Sequence, residues 1–128
     1  MLATSDVVAF APTADPVAAK RFYGDVLGLK LIEDSPFAIV FDANGITLRV
    51  TKVQEVAAAP YTILGWNVDD IARNVRDLSA RGVVFERYLQ LKQYAAGIWI
   101  SPDGARIAWF KDPDGNTLSL VQWRRQFT

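Results

Sequence analysis

The sequence predicts an α+β fold built from two tandem βαβββ units, and three observations carry that expectation. Apolar residues recur at helical spacing in two segments, 16–26 and 70–81, while the other apolar runs are short and bounded by Asp-, Gly- and Pro-containing turns. The order of elements (one strand, one helix, three strands) occurs twice along the chain. The two copies also share spacings. Thirteen residues separate Asp15 from Gly28 and thirteen separate Asp69 from Gly82, and FDANGITLRV (41–50) superimposes without a gap on KDPDGNTLSL (111–120).

In the first copy, 6–11 is apolar enough for a strand. Residues 16–26 follow as a helix, with Asp15 as N-cap, Pro16 in the first turn and Val17, Phe22 and Val26 as its apolar positions. Gly28 stands where that helix should stop. Strands are expected at 29–34, 37–42 and 46–51, turned by Asp34-Ser35-Pro36 and by Asp42-Ala43-Asn44-Gly45. The second copy repeats the order with a strand at 61–68 and a helix at 70–81 that has Ile71, Val75 and Leu78 on one face. Gly82 stops that helix, 83–87 is a strand, and 105–111 and 116–122 are strands joined by Asp112-Pro113-Asp114-Gly115. The superposed hairpins pair Asp42 with Asp112, Gly45 with Gly115, Thr47 with Thr117 and Leu48 with Leu118. Repeat one therefore covers about 5–52 and repeat two about 60–123 of one 128-residue domain. A four-stranded sheet with one helix cannot bury itself, so the two units are expected to form mixed, curved sheets around a shared concave pocket, with helices on the outer face.

Composition narrows the functions. Acidic and basic residues balance to a net charge of zero, which leaves no dense positive face for nucleic acid or an anionic membrane. No apolar run approaches the roughly 20 residues that span a bilayer. The opening MLATSDVVAF has no basic segment followed by a long apolar one, so no signal peptide is expected. Cysteine is absent, which removes disulfides, thiolate ligands and a thiol nucleophile and fits a cytoplasmic protein. Histidine is absent too, so neither a Ser–His nor a Cys–His pair can be assembled.

The strings RFYGDVLGL (21–29), VDDI (68–71) and FKDPDGNTLSL (110–120), in this order inside a duplicated frame, resemble the vicinal oxygen chelate superfamily, which includes glyoxalase I, extradiol dioxygenases and bleomycin-resistance proteins. The resemblance implies a place for a metal. In metal-binding members one ligand comes from the first strand and one from the last strand of each half, typically His or Glu. Counted back from the helix starts, the first-strand places fall at Val8 and Ile63. The last-strand places fall at Arg49 and Ser119, which are also partners in the internal repeat. Zinc, nickel, iron and manganese sites need imidazole, carboxylate or thiolate donors, and a guanidinium repels a divalent ion. No catalytic metal and no other cofactor is therefore expected; an all-carboxylate site for magnesium or manganese is the residual alternative.

Strand alternation puts Thr47 and Arg49 on one face, with Thr117 and Ser119 on the matching face of the second copy. Two readings of Arg49 stand at this point: an internal salt bridge, for example to Glu33 or Asp42, or a fork of donors for a ligand carboxylate, phosphate or enolate. Asn67 adds a directional hydrogen bond or neighbours the helix cap. Trp66, Trp109 and Trp123 are expected in the core or at a dimer contact, whereas Trp99 follows the irregular segment 88–98 and is a candidate to stack on a ligand. Tyr88 and Tyr94 lie on that segment, which could close as a lid, or are simply exposed. The candidate ligand-binding set is thus Arg49, Ser119, Thr47, Asn67, Val8, Ile63 and Trp99.

The resemblance and these residues together imply a metal-independent small-molecule-binding protein of the bleomycin-resistance type, homodimeric and cytoplasmic, holding an anionic or aromatic ligand without catalytic residues. The alternatives are a metal-free isomerase or lyase with Arg49 as electrophile, for which no general base is evident, and a metabolite-sensing interaction domain.

Overall fold

A computed structural model describes residues 1–94 and 96–123. It divides between Ala58 and Ala59 into two compact units, each carrying one four-stranded mixed sheet and one helix.

The first unit runs β1 (Val8–Thr13), α1 (Pro16–Arg21), β2 (Lys30–Asp34), β3 (Ala38–Ala43) and β4 (Ile46–Lys52). Its strand order is β1-β4-β3-β2, with β1 parallel to β4 and the other pairs antiparallel. The Asp15 side chain caps α1 by accepting from the Ala18 N–H at 3.2 Å, and Pro16 takes the first helical position, where no N–H is needed. The helix then widens into a π turn over Phe22–Val26, where Leu27 N–H donates to the Phe22 carbonyl at 2.9 Å. Ala19 and Tyr23 form its buried side, and Tyr23 meets Phe41 of β3 with ring centroids 6.0 Å apart. Val17, expected inside, is 82% exposed, because the face that meets the sheet is set by Ala19 and Tyr23, four residues apart.

The second unit repeats this as β5 (Thr62–Asn67), α2 (Ile71–Ala80), β6 (Trp99–Ile100), β7 (Arg106–Lys111) and β8 (Thr117–Gln122), in the order β5-β8-β7-β6. Again the first and last strands are parallel. Ile71 and Val75 are buried and Leu78 half-buried, as the helical spacing predicts. The cap is Asp70, not Asp69: Asp70 accepts from the Arg73 N–H at 3.1 Å, and the Ile71 N–H is taken by Gln122 Oε1 at 2.9 Å. The interval from cap to stop is therefore twelve residues here and thirteen in the first unit. The π turn absorbs the additional residue.

Residues 83–87 do not form the expected strand. They follow β7 through a single backbone bond, Glu86 N–H to the Trp109 carbonyl at 2.8 Å, and through the Lys111–Glu86 ion pair at 3.7 Å. The short β6 takes the outer ladder position instead. Gln93 fastens the intervening segment, accepting from Tyr88 N–H at 2.7 Å and donating to the carbonyls of Glu86 at 3.0 Å and Gly97 at 2.7 Å.

In both units one sheet face is packed under the helix. Ala11, Ile39, Phe41, Leu48 and Val50 are buried in the first unit, and Ala108, Phe110, Leu118 and Leu120 in the second. Trp66 stacks on Phe110 within that second core.

The hairpins do not superimpose as the ungapped sequence match implies. Asn44 (φ 53°) and Gly45 (φ 91°) make a two-residue turn of type I′ character, with Ala43 pairing Ile46. In the second unit Lys111 pairs Thr117, so the loop holds five residues. Pro113 has no N–H for a ladder, and Asp112 Oδ1 accepts from the backbone of Asp114 and Asn116, each at 2.9 Å. Asp112 therefore matches no position of the shorter turn, and Lys111 occupies the place of Asp42.

Candidate functional site

Register decides which side chains share each open face, since residues directly opposite on neighbouring strands point the same way. In the first unit Phe10 and Val40 flank Arg49, and Val8 and Asp42 flank Thr47. All lie on the face away from Phe41 and Leu48. Phe10 is 60% exposed and Arg49 half-buried between its strand neighbours.

The two internal partners considered for Arg49 do not engage it. Asp42 Oδ1 accepts from the Gly45 N–H at 2.7 Å, which commits it to the turn, and Val40 stands between Arg49 and Glu33 in the ladder. Among the described residues the guanidinium has no hydrogen bond and no ion pair.

In the second unit Gly65 and Trp109 flank Ser119, while Asn67 and Ile107 flank Val121. Trp99 pairs with Ile107 and so shares this face. Trp109 is in the middle of a ring cluster, 6.0 Å from Trp99 and 5.4 Å edge-on from Tyr88. Tyr88 has its pKa pushed up, first by desolvation and then by the charge of Glu86, so its phenol stays protonated at neutral pH and is a donor rather than a base. Tyr94 is exposed and takes no part in the cluster.

Ile63 is the extra residue of a β-bulge between Thr62, opposite Thr117, and Leu64, opposite Leu118. Counted from the helix cap, Ile63 matches Val8; counted from the neighbouring strand, Thr62 does. The bulge reconciles both.

Structure thus groups the expected residues into two sets, Val8, Thr47 and Arg49 on one sheet and Ser119, Asn67 and Trp99 on the other. It adds Phe10 and Gly65, which the sequence did not mark, and puts Trp109, expected in the core or at a dimer contact, half-buried on the face of Ser119. The signal for Trp109 was its separation by two from Ile107, whose partner Val121 shares the face of Ser119.

The residues at the metal positions do not fit a metal. An aliphatic side chain and a guanidinium serve in one unit, an aliphatic side chain and a hydroxyl in the other. No three carboxylates converge among the described residues.

A separate cavity of about 470 Å³ lies on the helix side of the first unit, lined by Pro16, Val17, Lys20, Asp34 and Lys52 among others. Asp34 is held there by Lys52 at 2.8 Å and Lys20 at 3.4 Å.

No curated protein matches the sequence. Solved structures match over nearly the full chain. A bleomycin resistance determinant encoded on the transposon Tn5 is 19% identical, with a TM-score of 0.74, covering 95% of this chain and all (100%) of that one. A lactoylglutathione lyase from Agrobacterium tumefaciens is 19% identical, with a TM-score of 0.71 over 95% of this chain and 98% of that one. A glyoxalase/bleomycin resistance protein/dioxygenase from Alicyclobacillus acidocaldarius is 22% identical, with a TM-score of 0.69 over 95% and 93%. At these identities the likeness is one of fold. The family is shown by the sequence itself: residues 6–120 match the model of the Glyoxalase/Bleomycin resistance protein/Dioxygenase superfamily, and the chain belongs to that superfamily.

Proposed function

We propose that this protein binds a small anionic molecule without a metal, and that Arg49 is the anchor. The observation that carries the reading is the half-buried guanidinium, which lies on an open sheet face with no hydrogen bond or ion pair among the described residues. A half-desolvated arginine gains most from a charge-assisted, two-pronged contact with a carboxylate or phosphate. Thr47, one residue pair along the same face, supplies a hydroxyl, and Val8 and Phe10 supply apolar surface for the rest of the ligand. The residues at the metal positions support binding over metal-assisted chemistry, because none of them is a metal donor of the usual kind. A protonated Tyr88 gives no support to a general-base mechanism. The likeness to a structure described as a bleomycin resistance determinant is consistent with a sequestering role.

A homodimeric, cytoplasmic working form belongs to the same proposal. No helix among the described residues is long and apolar enough to cross a membrane.

The test is calorimetric titration with a panel of small carboxylates and phosphates, run on wild type and Arg49→Ala. Binding to wild type that weakens by about tenfold or more in the variant is the expected result, as loss of a charge-assisted pair implies. Binding unchanged by the substitution would remove Arg49 from the site. Elemental analysis of the purified protein checks metal independence, and stoichiometric zinc, nickel or iron would overturn it.

A further inference from the structure

We propose that the second unit carries a separate site for an amphipathic carboxylate, in a groove between α2 and residues 83–87. Arg76 and Arg87 take the head group, and Val83, Val84 and Phe85 take the apolar body. Every residue of the groove belongs to the second unit, and none of them enters the Arg49 reading.

The groove begins with the way the helix ends. Gly82, at φ 96°, turns the chain after α2: its N–H donates to the Ser79 carbonyl at 3.1 Å and the Val83 N–H to the Leu78 carbonyl at 3.0 Å. Residues 83–87 then run beside the helix, held to β7 by one backbone bond and so free of a full ladder. What this leaves is an open groove of about 540 Å³, with Val75, Val83, Val84 and Phe85 as its apolar surface. Small-molecule sites occupy roughly 300–1,000 Å³. Phe85 is fixed by Phe110, with ring centroids 5.5 Å apart, and by Gly97, where a Cβ would stand 3.3 Å from that of Phe85. The apolar surface is therefore preformed, and Val84 remains 76% exposed.

The polar lining is of one kind. Arg76, Arg87 and the Ser79 hydroxyl stand around the groove, and no carboxylate among the described residues lines it. Arg76 makes no hydrogen bond or ion pair among the described residues. Its neighbour Asp77 falls roughly 200° round the helix from Val75, and Glu86 turns to Lys111 at 3.7 Å. Arg87 reaches the Gln93 carbonyl at 3.5 Å from the same groove. The cavity of the first unit is the contrast: its Lys20 and Lys52 already hold Asp34, which an arriving anion would have to displace. A valine and phenylalanine surface beside two guanidiniums suits an apolar chain ending in a carboxylate. Inorganic phosphate would use the arginines without the apolar surface, and a hydrocarbon the reverse.

The experiment is a titration of the full chain carrying Arg49→Ala, so that anion binding at Arg49 does not contribute, followed through the backbone amide resonances of residues 79 and 83–87. Octanoate should move these signals. Octyltrimethylammonium, with the same tail and the opposite charge, should bind at least about tenfold more weakly, and so should acetate, which has no tail. Arg76→Gln should weaken octanoate about threefold, and Arg76→Gln with Arg87→Gln about tenfold, as exposed charge pairs imply. Both arginines are exposed, so the variants should fold. Unmoved signals, equal binding of the cationic or the short probe, or octanoate affinity unchanged in the double variant would overturn the site. Signals that move on concentrating the protein alone would make the groove a contact between copies and overturn it as well. Carboxylate binding through Arg49, read on wild type, would survive each of these outcomes, so the two readings fail separately.

Discussion

The β3–β4 hairpin of the first unit turns in two residues, whereas its counterpart β7–β8 takes five, yet both deliver the same core. Phe41 opposite Leu48 in one becomes Phe110 opposite Leu118 in the other, all four fully buried. Between the equivalent pairs Asp42–Thr47 and Lys111–Thr117 lie four and five residues, and that one additional residue shifts β7 by one position against the sequence alignment, which exchanges the two faces. Trp109 consequently stands where the first unit has Val40, and Gly65 stands where it has Phe10. Repetition has therefore been kept on the helix-covered faces and abandoned on the open ones. The bulge at Ile63, the π turn at Phe22–Val26 and the longer hairpin are each one-residue adjustments that leave core registers intact.

The sharpest way to break this comparison is to truncate the rings it assigns to opposite faces. Phe41→Ala and Phe110→Ala should each cost about 3–5 kcal/mol, lowering the melting midpoint by roughly 10–20 °C in a calorimetric scan. Trp109→Ala should cost clearly less than Phe110→Ala, because its ring is half-buried among Tyr88 and Trp99 and not enclosed in the core. If Trp109→Ala proves as damaging as Phe110→Ala, the one-residue shift is wrong.

A smaller effect separates the turns themselves. Asn116 is buried and tied to Asp112 by its backbone N–H donating to Oδ1 at 2.9 Å, its side chain donating to Oδ2 at 2.8 Å and its carbonyl accepting from the Asp112 N–H at 3.1 Å. Ile46 holds the matching place before Thr47 and is 42% exposed. Asn116→Ala leaves a buried carboxylate oxygen short of a donor and should cost about 1–3 kcal/mol, while Ile46→Ala should stay below about 1 kcal/mol. Equal losses in urea titration would mean that the longer loop is no better wired than the shorter.

How much of this was legible in the sequence follows from what each feature depends on. Asp15, Pro16 and Gly28 act through local chemistry, and all three sit where the sequence puts them. Ile71 and Val75 were found because a helix face is a long periodic signal. Asp69 and Asp70 are adjacent carboxylates, and only the accepted N–H bond of Arg73 distinguishes the cap. The strand expected at 83–87 had the right composition, but its ladder partner on β7 is largely given to β6, a tertiary competition that no local pattern reveals. Arg49 and Ser119 were identified as a repeat pair after the last turn, where the alignment holds. Gly65 and Trp109 were missed because they lie before the turn or beyond a bulge, where an alignment error of one residue reverses the face.

The outer strands offer the finest comparison. In the first unit the end of β2 is tied by two lysines, Asp34 accepting from Lys52 at 2.8 Å and from Lys20 at 3.4 Å, whereas the matching segment of the second unit has the Glu86 backbone bond, the Gln93 side chain and one longer ion pair, Lys111–Glu86 at 3.7 Å. The Asp34 carboxyl is held below its ordinary value, chiefly by the hydrogen bond from Lys52, with desolvation opposing and Lys20 adding to the lowering. A carboxylate whose pKa is depressed by folding stabilises the fold above the unfolded value of about 3.9, and that contribution is lost as pH falls through the lower folded value. Asp34→Asn should therefore flatten part of the acid limb of the stability curve below about pH 4 while moving the melting midpoint at pH 7 by no more than about 2 °C, since both ion pairs lie at the solvent-exposed surface. Salt should mimic the substitution, because exposed pairs are screened within about 10 Å at 0.1 M. An acid limb unchanged in Asp34→Asn would show that the backbone ladder to β3, not the charges, holds this strand in place.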